Sequence, residues 1–471
     1  MVGIKSYGVY IPRYRLTGAL LREAWGSGPA KGERALANHD EDALTMAVDA
    51  VENCLMDGGV SAVDAVYFAS ASAPYLEKSC ATTIAAVADV REDGVAAADF
   101  GGSLRAGTAA LRAAADAVVA GSAREAVVAA ADCRLVAPGH PLEGVLGDAA
   151  AALLISADNP IAVINRIHSV SAEFMDIWRC AGDKFLKFED AKFILEKGYG
   201  AQLKRALDGL LDRCGLARDA PAKVVFYAPD AAGLKAQTKA LKVKPEALLE
   251  DPLLDTVGNA GNAAPFLALA AALDSAEPGD RIVMLGYGGG ADAVLVTATE
   301  AIRDYDNPRG LRAHLAARRE LPAYTKYLRF RKLIDTEEIF PFSPYPLVWR
   351  EQKANLARYG KKCNRCGTFS YPPQRVCRNC DAKDDFTDEK LSRTGKVFTF
   401  AKDHLFPSAD PPVVMVSADM DGGGRLYAQL TDAAPDSAGV GMKVELCFRK
   451  LHEGGEHFNY FWKFRPPLIE D

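Results

Sequence analysis

The feature that most constrains the fold of this chain is an internal repeat within its first 300 residues. In each copy an apolar strand precedes a glycine-opened helix, and two further strands follow the helix. The first copy occupies residues 64–70, 101–121, 123–132 and 149–156. The second copy occupies residues 222–230, 257–279, 280–287 and 291–298. The shared order predicts a body built from two similar halves.

The strands and central helices of the repeat lack a polar face. The strands are continuous apolar runs, which is typical of a sheet covered on both faces. Both central helices consist largely of Ala, Leu and Gly, with charge at few positions such as Arg105 and Arg112. A helix that is apolar all round belongs in the middle of a large protein. We therefore predict a layered α/β/α/β/α body in which two sheets enclose the central helices.

Length and charge exclude several classes of protein. A chain of 471 residues with 25% charged residues is a multidomain globular protein, and a net charge of −6 does not favour nucleic acid as a partner. No apolar stretch reaches the roughly 18 residues that span a bilayer, and the start of the chain lacks the apolar core of a signal peptide. We expect a cytoplasmic protein with no membrane partner.

The composition changes after residue 300. A basic stretch over 309–338 predicts an exposed helical connector, and short strands after residue 390, with a tight turn at 421–424, predict a small all-β barrel of the OB type. The predicted domains are two halves of the body, a connector, a metal ribbon and the barrel. Their expected bounds are 1–165, 166–300, 301–355, 356–385 and 386–471.

Four of the ten cysteines form a metal-binding pattern. Cys363 and Cys366 form one C-x-x-C pair, and Cys377 and Cys380 form a second pair ten residues later. Two such pairs present four thiolates to one Zn²⁺ ion. Because all four positions are cysteine, no ligand position stays open for water, and the site is predicted to be structural. The alternative is four free cysteines or two disulfides.

The first 300 residues resemble the thiolase superfamily, and most closely its archaeal-type 3-hydroxy-3-methylglutaryl-CoA synthases. The resemblance rests on GIKSYGVYIPRYRL (3–16), DIWRCAGD (176–183), GNAGNAAPFLALAAALD (258–274) and GDRIVMLGYGGGADA (279–293). It implies a five-layered fold, a homodimer, and carbon–carbon bond formation or cleavage on acyl-CoA, with coenzyme A as part of the substrate or product. The rest of the chain resembles zinc-ribbon/OB-fold proteins that accompany such enzymes as a separate subunit and are fused here.

The chain departs from the synthases at the three positions that carry their chemistry. The resemblance implies a cysteine at the N-terminus of the first buried helix, a histidine in an H-x-P segment and a glutamate in an E-S-x-P-Y segment. The matched positions here are Leu104, Tyr227 and Ala71. A mechanism through a cysteine-bound acyl group is therefore not expected.

A first hypothesis keeps an acyl-CoA pocket and an aldol or Claisen-type reaction without a covalent intermediate. Tyr227 would exchange a proton with the substrate hydroxyl or carbonyl, and Asn259 with the glycine-rich loop 286–290 would hold the oxyanion. The alternative for Tyr227 is a buried aromatic residue with a satisfied hydroxyl group.

Two further hypotheses remain open. In one, an acyltransferase uses Cys80 or Ser103 as nucleophile, with His140 as the base; the alternative is a buried cysteine and a helix-capping serine. In the other, the body is a catalytically silent acyl-CoA-binding scaffold for an active thiolase. The barrel also permits a nucleic-acid hypothesis, but its acidic neighbours favour packing against the body.

Overall fold

The computed structural model describes residues 1–28, 31–90, 93–228, 231–334, 343–454 and 457–469. Pro229 of the matched FYAP segment and residues 340–342 of the proline-rich stretch lie outside these ranges. The chain forms two compact units. The first consists of Met1–Ala37, Asp42–Ala85 and Val90–Tyr324, and the second of Asn38–Glu41, Ala86–Asp89 and Thr325–Asp471. Within the described ranges, every helix is too short or too polar to cross a bilayer.

The first unit alternates strands and helices. Its strands are β1 (Gly3–Tyr10), β2 (Tyr14–Thr17), β3 (Glu33–Leu36), β4 (Ala65–Ala69), β5 (Ala96–Phe100), β6 (Glu125–Asp132), β7 (Ala149–Ser156), β8 (Ala162–Ser171), β9 (Ile177–Trp178), β10 (Lys187–Phe188), β11 (Lys223–Phe226), β12 (Arg281–Tyr287), β13 (Gly290–Ala298) and β14 (Arg319–Glu320). Its helices are α1 (Gly18–Trp25), α2 (Ala43–Asp57), α3 (Cys80–Ala88, whose last residues belong to the second unit), α4 (Ala106–Val119), α5 (Ala191–Phe193), α6 (Gly200–Cys214), α7 (Ala231–Leu241), α8 (Ala263–Leu273) and α9 (Leu311–Ala316).

The repeat appears directly in the strand order. One nine-stranded sheet runs β11-β12-β13-β8-β1-β7-β6-β4-β5. Strand β1, the first of the first half, and strand β8, the first of the second half, lie side by side in the middle of the sheet. The other strands of this sheet from each half lie between this middle and one outer edge of the sheet. The sequence predicts two sheets, one for each half, and β1 and β8 join them through the pairs Gly3 with Val163 and Ile4 with Ala162. The two halves are therefore edge-joined by a short antiparallel pairing.

The glycine-opened segments become the central helices α4 and α8, as the repeat predicts. Nine of the 11 residues of α8 are buried, including Phe266, and α4 buries seven of its 14 residues. Each helix packs on strands of its own half, and α8 also contacts β6 and β7 of the other half. The absence of a polar face on α8 thus follows from its position between the halves.

The described residues of the second unit form short α-helices and a series of strands. They are α10 (Tyr324–Phe330, which starts at the last residue of the first unit), α11 (Tyr345–Arg350), α12 (Gln352–Asn355), β15 (Tyr359–Cys363), β16 (Phe369–Ser370), β17 (Phe386–Lys390), β18 (Thr394–Asp403), β19 (Val413–Met420), β20 (Arg425–Leu430), β21 (Lys443–Gly454) and β22 (His457–Arg465). The strands β18-β19-β20-β22-β21 close into a barrel, as predicted. The basic stretch differs from an exposed helical connector, because α9 buries Leu311 and His314 and α10 buries Tyr327 and Phe330.

An ion-pair cluster lies buried in the second unit. Arg449, which is fully buried, pairs with Glu41 at 2.9 Å and with Asp432 at 2.8 Å, and Lys463 pairs with Asp40 at 2.9 Å. Burial opposes the ionisation of Asp40, but Lys463 and the neighbouring cations hold its pKa well below the ordinary value. The segment Asn38–Glu41 therefore belongs to this unit through charge, although it is far away in sequence.

In the first unit, a buried carboxylate connects the two halves of the repeat. Asp132 ends β6, and its Oδ1 accepts hydrogen bonds from the Ser70 hydroxyl (3.1 Å), the Ala71 N–H (2.7 Å) and the Ser72 hydroxyl (2.8 Å). Its Oδ2 accepts from the backbone N–H (2.7 Å) and the side-chain amide (3.0 Å) of Asn262. One side chain thus fixes the end of β4 to the start of α8.

Asn262 extends this network to the other central helix. Its Oδ1 accepts from the Gly107 N–H at 3.0 Å, and its Nδ2 donates to the Ser103 carbonyl at 3.2 Å. Gly261 has a φ of +60°, and a Cβ atom there would collide with the Asp132 carboxylate. The N-termini of α4 and α8 consequently meet at one point, and the network defines that point.

We expect Asp132→Asn to destabilise the first unit by about 2–4 kcal/mol, because either orientation of the amide turns an N–H₂ group towards hydrogen-bond donors. Urea unfolding followed by tryptophan fluorescence measures the change in the free energy of unfolding. Asp158→Asn is the matched control, since the side chain of Asp158 is 81% exposed, and it should unfold like the wild type. Equal stability of the two variants would contradict the role given to Asp132.

Candidate functional site

The N-terminus of α4 is closed by a serine and a glycine loop. The Ser103 hydroxyl accepts from the Arg105 N–H at 3.1 Å and donates to the Gly288 carbonyl at 2.8 Å. A Cβ atom at Gly288 would lie 2.6 Å from Ser103 Oγ, so the loop approaches this closely only with glycine. Leu104, at the position matched to the synthase cysteine, is half-buried beside this contact.

A partly buried ion pair lies at Arg105, the N-cap residue of α4. The Arg105 guanidinium contacts Asp292 Oδ1 at 3.2 Å and donates to the Val170 carbonyl at 3.2 Å. Asp292 Oδ2 also accepts from the Thr108 hydroxyl. The cation and the helix amides give the start of α4 a positive potential, which favours negative charge that develops on a bound molecule.

Asn259 presents a hydrogen-bond donor near the start of α8. Its Oδ1 accepts from the Gly261 N–H at 3.0 Å, which assigns Nδ2 as the remaining amide group. In the part of the chain that the structure describes, no group accepts a hydrogen bond from this Nδ2. The backbone of Asn259 is fixed by bonds with Val145 and Gly147. The side chain is buried, and this arrangement suits an oxyanion-binding amide.

Tyr227 lies in a cluster of three tyrosines at the carboxyl ends of β11 and β12. Its ring meets Tyr199 edge-on at 6.1 Å, and Tyr199 meets Tyr287 edge-on at 5.2 Å. Burial and the two neighbouring phenols raise the pKa of Tyr199 well above its ordinary value. Burial, and then a hydrogen bond with Asp176, raise the pKa of Tyr287. The phenols of Tyr199 and Tyr287 therefore stay protonated at neutral pH.

The tyrosine cluster adjoins both the loop on α4 and an unusual helical turn. Tyr287 directly precedes Gly288. Tyr199 ends a π-helical turn, Ile194–Tyr199, between α5 and α6. Its hydroxyl is buried and has no hydrogen-bond partner among the described residues. Single π-turns are frequent at functional sites, and this one places a phenol in the cluster.

The structure does not assemble a nucleophile from Cys80, Ser103 and His140. Burial, and then the nearby Asp99 carboxylate, raise the pKa of Cys80 to about 12, so its thiol stays protonated. His140 accepts from the Leu142 N–H through Nδ1 and stacks on Phe188 at 4.9 Å. Within the described ranges, no hydrogen bond joins Ser103 to a histidine. Ser103 instead bonds to the Arg105 N–H and the Gly288 carbonyl, and Arg105 is the N-cap residue of α4, without a side-chain cap, so Ser103 is not the helix-capping serine of the alternative either.

A cavity of about 660 Å³ lies at the carboxyl ends of β4 and β5. Its walls include Phe68, Tyr75 and Phe100, and Lys78 and Arg179 also line it. The Arg179 guanidinium donates to the Ala71 carbonyl at 2.8 Å. The volume of the cavity is in the range of small-molecule binding sites. Ala71 also donates its N–H to Asp132, so the cavity borders the network between the central helices.

Sequence reasoning missed the polar residues that organise this region, namely Asp132, Asn262, Asp292, Arg179 and Tyr199. One signal was available for Asp132, because it is the only charged residue at the end of an otherwise apolar strand, VVAAAD. For the others, the partners are distant in sequence. Their roles follow only from the fold.

The four ribbon cysteines lie in one metal-sized cluster. Their sulfur atoms are within 4.8 Å of one another, with Cys363 Sγ 3.6 Å from Cys380 Sγ and Cys366 Sγ 3.5 Å from Cys377 Sγ. Tetrahedral Zn²⁺ with Zn–S bonds of about 2.3 Å needs sulfur atoms about 3.8 Å apart. A contact with Thr368 lowers the pKa of Cys366 to about 5, which favours the thiolate that a metal binds.

The two cysteine pairs have the same backbone shape. After Cys366, Gly367 has a φ of +72° and donates its N–H to the Cys363 carbonyl at 2.9 Å. After Cys380, Asp381 has a φ of +54° and donates its N–H to the Cys377 carbonyl at 3.0 Å. Two matching knuckles aim four sulfur atoms at one centre, so the residues present fit structural zinc.

We expect the purified protein to carry about one zinc per chain, and Cys377→Ser to lose it, because the buried sulfur is one of only four ligands. Metal analysis by inductively coupled plasma mass spectrometry measures the content. The matched control is Cys180→Ser, an exposed cysteine outside the ribbon, which should keep its zinc. A wild-type protein with neither zinc nor iron would contradict the assignment.

Comparison with known families assigns both C-terminal modules. Residues 359–386 match the model of the ChsH2 rubredoxin-like zinc ribbon domain. Residues 388–449 match the model of the ChsH2 C-terminal OB-fold domain. The zinc ribbon and the OB-type barrel predicted from the cysteine spacing and the short strands are confirmed, and zinc is the structural metal of the ribbon.

Solved structures share the fold of the first unit. The structure of MvaS in complex with 3-hydroxy-3-methylglutaryl coenzyme A aligns with 72% of this chain and 94% of its own, at a TM-score of 0.65 and 22% identity. An HMG-CoA synthase complexed with CoA aligns with 73% of this chain and 92% of its own, at a TM-score of 0.64 and 20% identity. These neighbours confirm the thiolase-like α/β fold class.

Sequence relatives give the family. The chain is 31% identical over 342 residues to the hydroxymethylglutaryl-CoA synthase of Methanopyrus kandleri, covering 70% of this chain and 97% of the relative. It is 32% identical over 345 residues to the same enzyme of Methanocaldococcus jannaschii, covering 71% and 99%. The chain therefore belongs to the hydroxymethylglutaryl-CoA synthase family of thiolase-superfamily enzymes, and it carries a zinc ribbon and an OB-fold domain after the family body.

Proposed function

We propose that the first unit makes or breaks a carbon–carbon bond on an acyl-CoA thioester by an aldol or Claisen-type reaction without an acyl-cysteine intermediate. The observation that carries this proposal is the site at the N-terminus of α4. Leu104 stands there in place of a nucleophile, and the surrounding polar framework holds Asn259 with an Nδ2 donor that has no acceptor among the described residues. Such a site stabilises charge on a substrate and offers no side chain for acylation.

The negative charge of the reaction is an enolate or alkoxide oxygen. The Nδ2 donor of Asn259 and the Arg105 cation, which is shared with Asp292, favour that charge. Because these groups are fixed by their own hydrogen bonds, they need no rearrangement when the charge develops. We infer that the thioester oxygen binds near them.

The reaction transfers a proton to or from the substrate oxygen, which is a carbonyl before condensation and a hydroxyl after it. We assign this transfer to Tyr227. A phenol suits a proton donor at neutral pH. In condensation, the α-carbon of the acyl-CoA loses a proton to water, the resulting enolate attacks the carbonyl carbon, and Tyr227 gives its proton to the carbonyl oxygen, which becomes a hydroxyl group. The phenolate then takes a proton from water. In cleavage the steps run in reverse: the Tyr227 phenolate accepts the hydroxyl proton, the carbon–carbon bond breaks, and water protonates the enolate carbon.

Two alternatives differ from this proposal in what they require. An acyltransferase would need Cys80 or Ser103 as nucleophile, against the raised pKa of Cys80 and the backbone hydrogen bonds of Ser103. A catalytically silent acyl-CoA-binding scaffold would need no proton donor at all. Turnover of acyl-CoA by the isolated protein separates the scaffold from both enzymes.

We expect Tyr227→Phe to lower kcat by about 10²- to 10⁴-fold, because the variant keeps the ring and loses the proton that general acid catalysis needs. Mass spectrometry of acyl-CoA mixtures before and after incubation measures turnover. Tyr427→Phe, at an exposed tyrosine of the barrel, should leave the rate unchanged.

Cys80→Ala and Ser103→Ala distinguish the mechanisms in the same assay. Turnover retained in both variants supports the noncovalent reaction. Wild-type activity in Tyr227→Phe combined with loss of activity in either alanine variant would overturn it in favour of the acyltransferase.

We also propose that the unit works as a homodimer through the edge of its sheet. Strand β5 is the last strand of the nine-stranded sheet, it is apolar except for Asp99, and Ala96 and Asp99 are exposed. An exposed apolar edge strand is a template for pairing with another chain. A second copy of β5 would extend the sheet across a two-fold axis.

We expect Ala96→Glu to convert the dimer to a monomer, because pairing of the edge strands would bury the new carboxylate in a dry interface. Light scattering coupled to size-exclusion chromatography measures the mass of the particle. Val119→Glu, at an exposed position of α4, should remain dimeric. A wild-type protein that elutes as a single chain would contradict the proposal.

A further inference from the structure

The backbone of Asn259 forms a short bridge with the loop that precedes β7. The Asn259 N–H donates to the Val145 carbonyl at 2.8 Å, and the Asn259 carbonyl accepts from the Gly147 N–H at 3.1 Å. Asn259 is therefore paired with Leu146, as in a parallel sheet, and both residues are buried. The position of the Asn259 amide consequently depends on where the loop 145–147 lies.

The side chain of Arg34, from strand β3, holds this loop. Its guanidinium donates to the Leu146 carbonyl at 2.8 Å, and the arginine is buried. A hydrogen bond from an ionised donor is roughly twice as strong as one between neutral groups. A strong donor thus lies at the centre of the bridge between Leu146 and Asn259.

Gly258, the residue before Asn259, lets Arg34 approach the bridge from its other side. Gly258 has a φ of +84°, and a Cβ atom there would lie 3.1 Å from Arg34 Cβ and 2.7 Å from the Val145 carbonyl oxygen. Only glycine permits this backbone conformation and this close approach without strain. One arginine side chain therefore lies against both segments of the bridge.

The backbone of β3 is bonded to the same two segments. The Ala35 N–H donates to the Val257 carbonyl at 2.9 Å, and the Ala35 carbonyl accepts from the Asp148 N–H at 3.0 Å. Arg34 precedes Ala35, so its side chain starts from a strand that is fixed to both segments. A side chain on a rigid element holds its contacts more precisely than one on a loop.

We propose that Arg34 is a positioning residue, which acts through Asn259 and does not touch the substrate. The inference rests on the proposed function, in which Asn259 Nδ2 donates to the enolate or alkoxide oxygen. An oxyanion donor is effective when its direction is fixed before the charge develops, and a displacement of about 1 Å can lower the rate about 10²-fold. Without the guanidinium, the loop that holds Asn259 loses its charged donor.

A double-mutant cycle of Arg34→Met and Asn259→Ala tests this role. Methionine keeps an unbranched apolar side chain and removes the N–H donors. We expect Arg34→Met alone to lower kcat about 10-fold and to change KM by less than about 2-fold, because the lost support matters in the transition state. Asn259→Ala alone should lower kcat about 10²- to 10³-fold. In the Asn259→Ala background, Arg34→Met should have no further effect, because no amide remains to be positioned.

The measurement uses the acyl-CoA mixture of the turnover assay, and kcat and KM are determined for the thioester that the wild type consumes fastest. Arg309→Met is the matched control, because this half-buried guanidinium contacts Asn53 of α2 at 3.0 Å, and it should keep the wild-type kcat. Circular dichroism at the assay temperature confirms that each variant is folded. If Arg34→Met does not fold, Arg34→Lys enters the same cycle, with an expected first loss of about 3-fold.

The outcomes separate the inference from the function on which it rests. An equal loss of kcat from Arg34→Met in both backgrounds indicates a structural role alone and would overturn the inference. A loss in KM alone, or no loss, would also overturn it. In each of these cases, slow turnover by Tyr227→Phe and Asn259→Ala leaves the proposed reaction standing. Wild-type turnover by Asn259→Ala, or a wild type that consumes no acyl-CoA, would overturn both.

Discussion

The first unit depends on one buried carboxylate between two helix N-termini. The positive ends of the α4 and α8 dipoles meet at the same point, which is unfavourable unless negative charge lies between them. Asp132 provides that charge and accepts five hydrogen bonds, two of them from Asn262, which in turn bonds to the first turn of α4. The carboxylate therefore fixes where the two halves of the repeat meet, and it fixes the candidate site at the same time.

This arrangement limits the chemistry that the site supports. A helix N-terminus stabilises a thiolate when a cysteine stands there, but Leu104 offers no ionisable group. Asp132 is occupied on both oxygens, and Asp292 is occupied by Arg105 and Thr108. Among the described residues, the Asn259 amide Nδ2 is a donor that remains for charge on a bound molecule. In the proposed reaction, an enolate or alkoxide oxygen accepts from this donor without any covalent bond to the protein.

Sequence reasoning succeeded where the signal was local or periodic. The two-half body, the buried central helices, the four-cysteine metal site and the barrel each follow from spacing or apolar patterning within one segment. It failed where the determinant was a polar contact between distant residues. The join of β1 to β8, the Asp132–Asn262 network and the contact of Arg179 with Ala71 have no local signature. The ion pairs that Arg449 and Lys463 form with Glu41 and Asp40 are the clearest example. In the sequence, the short charged segment Asn38–Glu41 has the pattern of an ordinary surface loop.

The three departures from the family pattern are best understood together. If only the cysteine were lost, the histidine and the glutamate of the family pattern would remain. They would then surround an acyl-cysteine that the chain could no longer form. Tyr227 stands in place of the histidine and is the proton donor of the proposed reaction, and Ala71 stands in place of the glutamate beside the Arg179 guanidinium. The framework that holds these positions, from Asp132 to the glycine loop on Ser103, is fully hydrogen-bonded. This network stabilises the fold, and beside it the phenol of Tyr227 and the buried amide of Asn259 keep a proton-bearing group and a hydrogen-bond donor at the site. The combination therefore favours a changed reaction over a lost one.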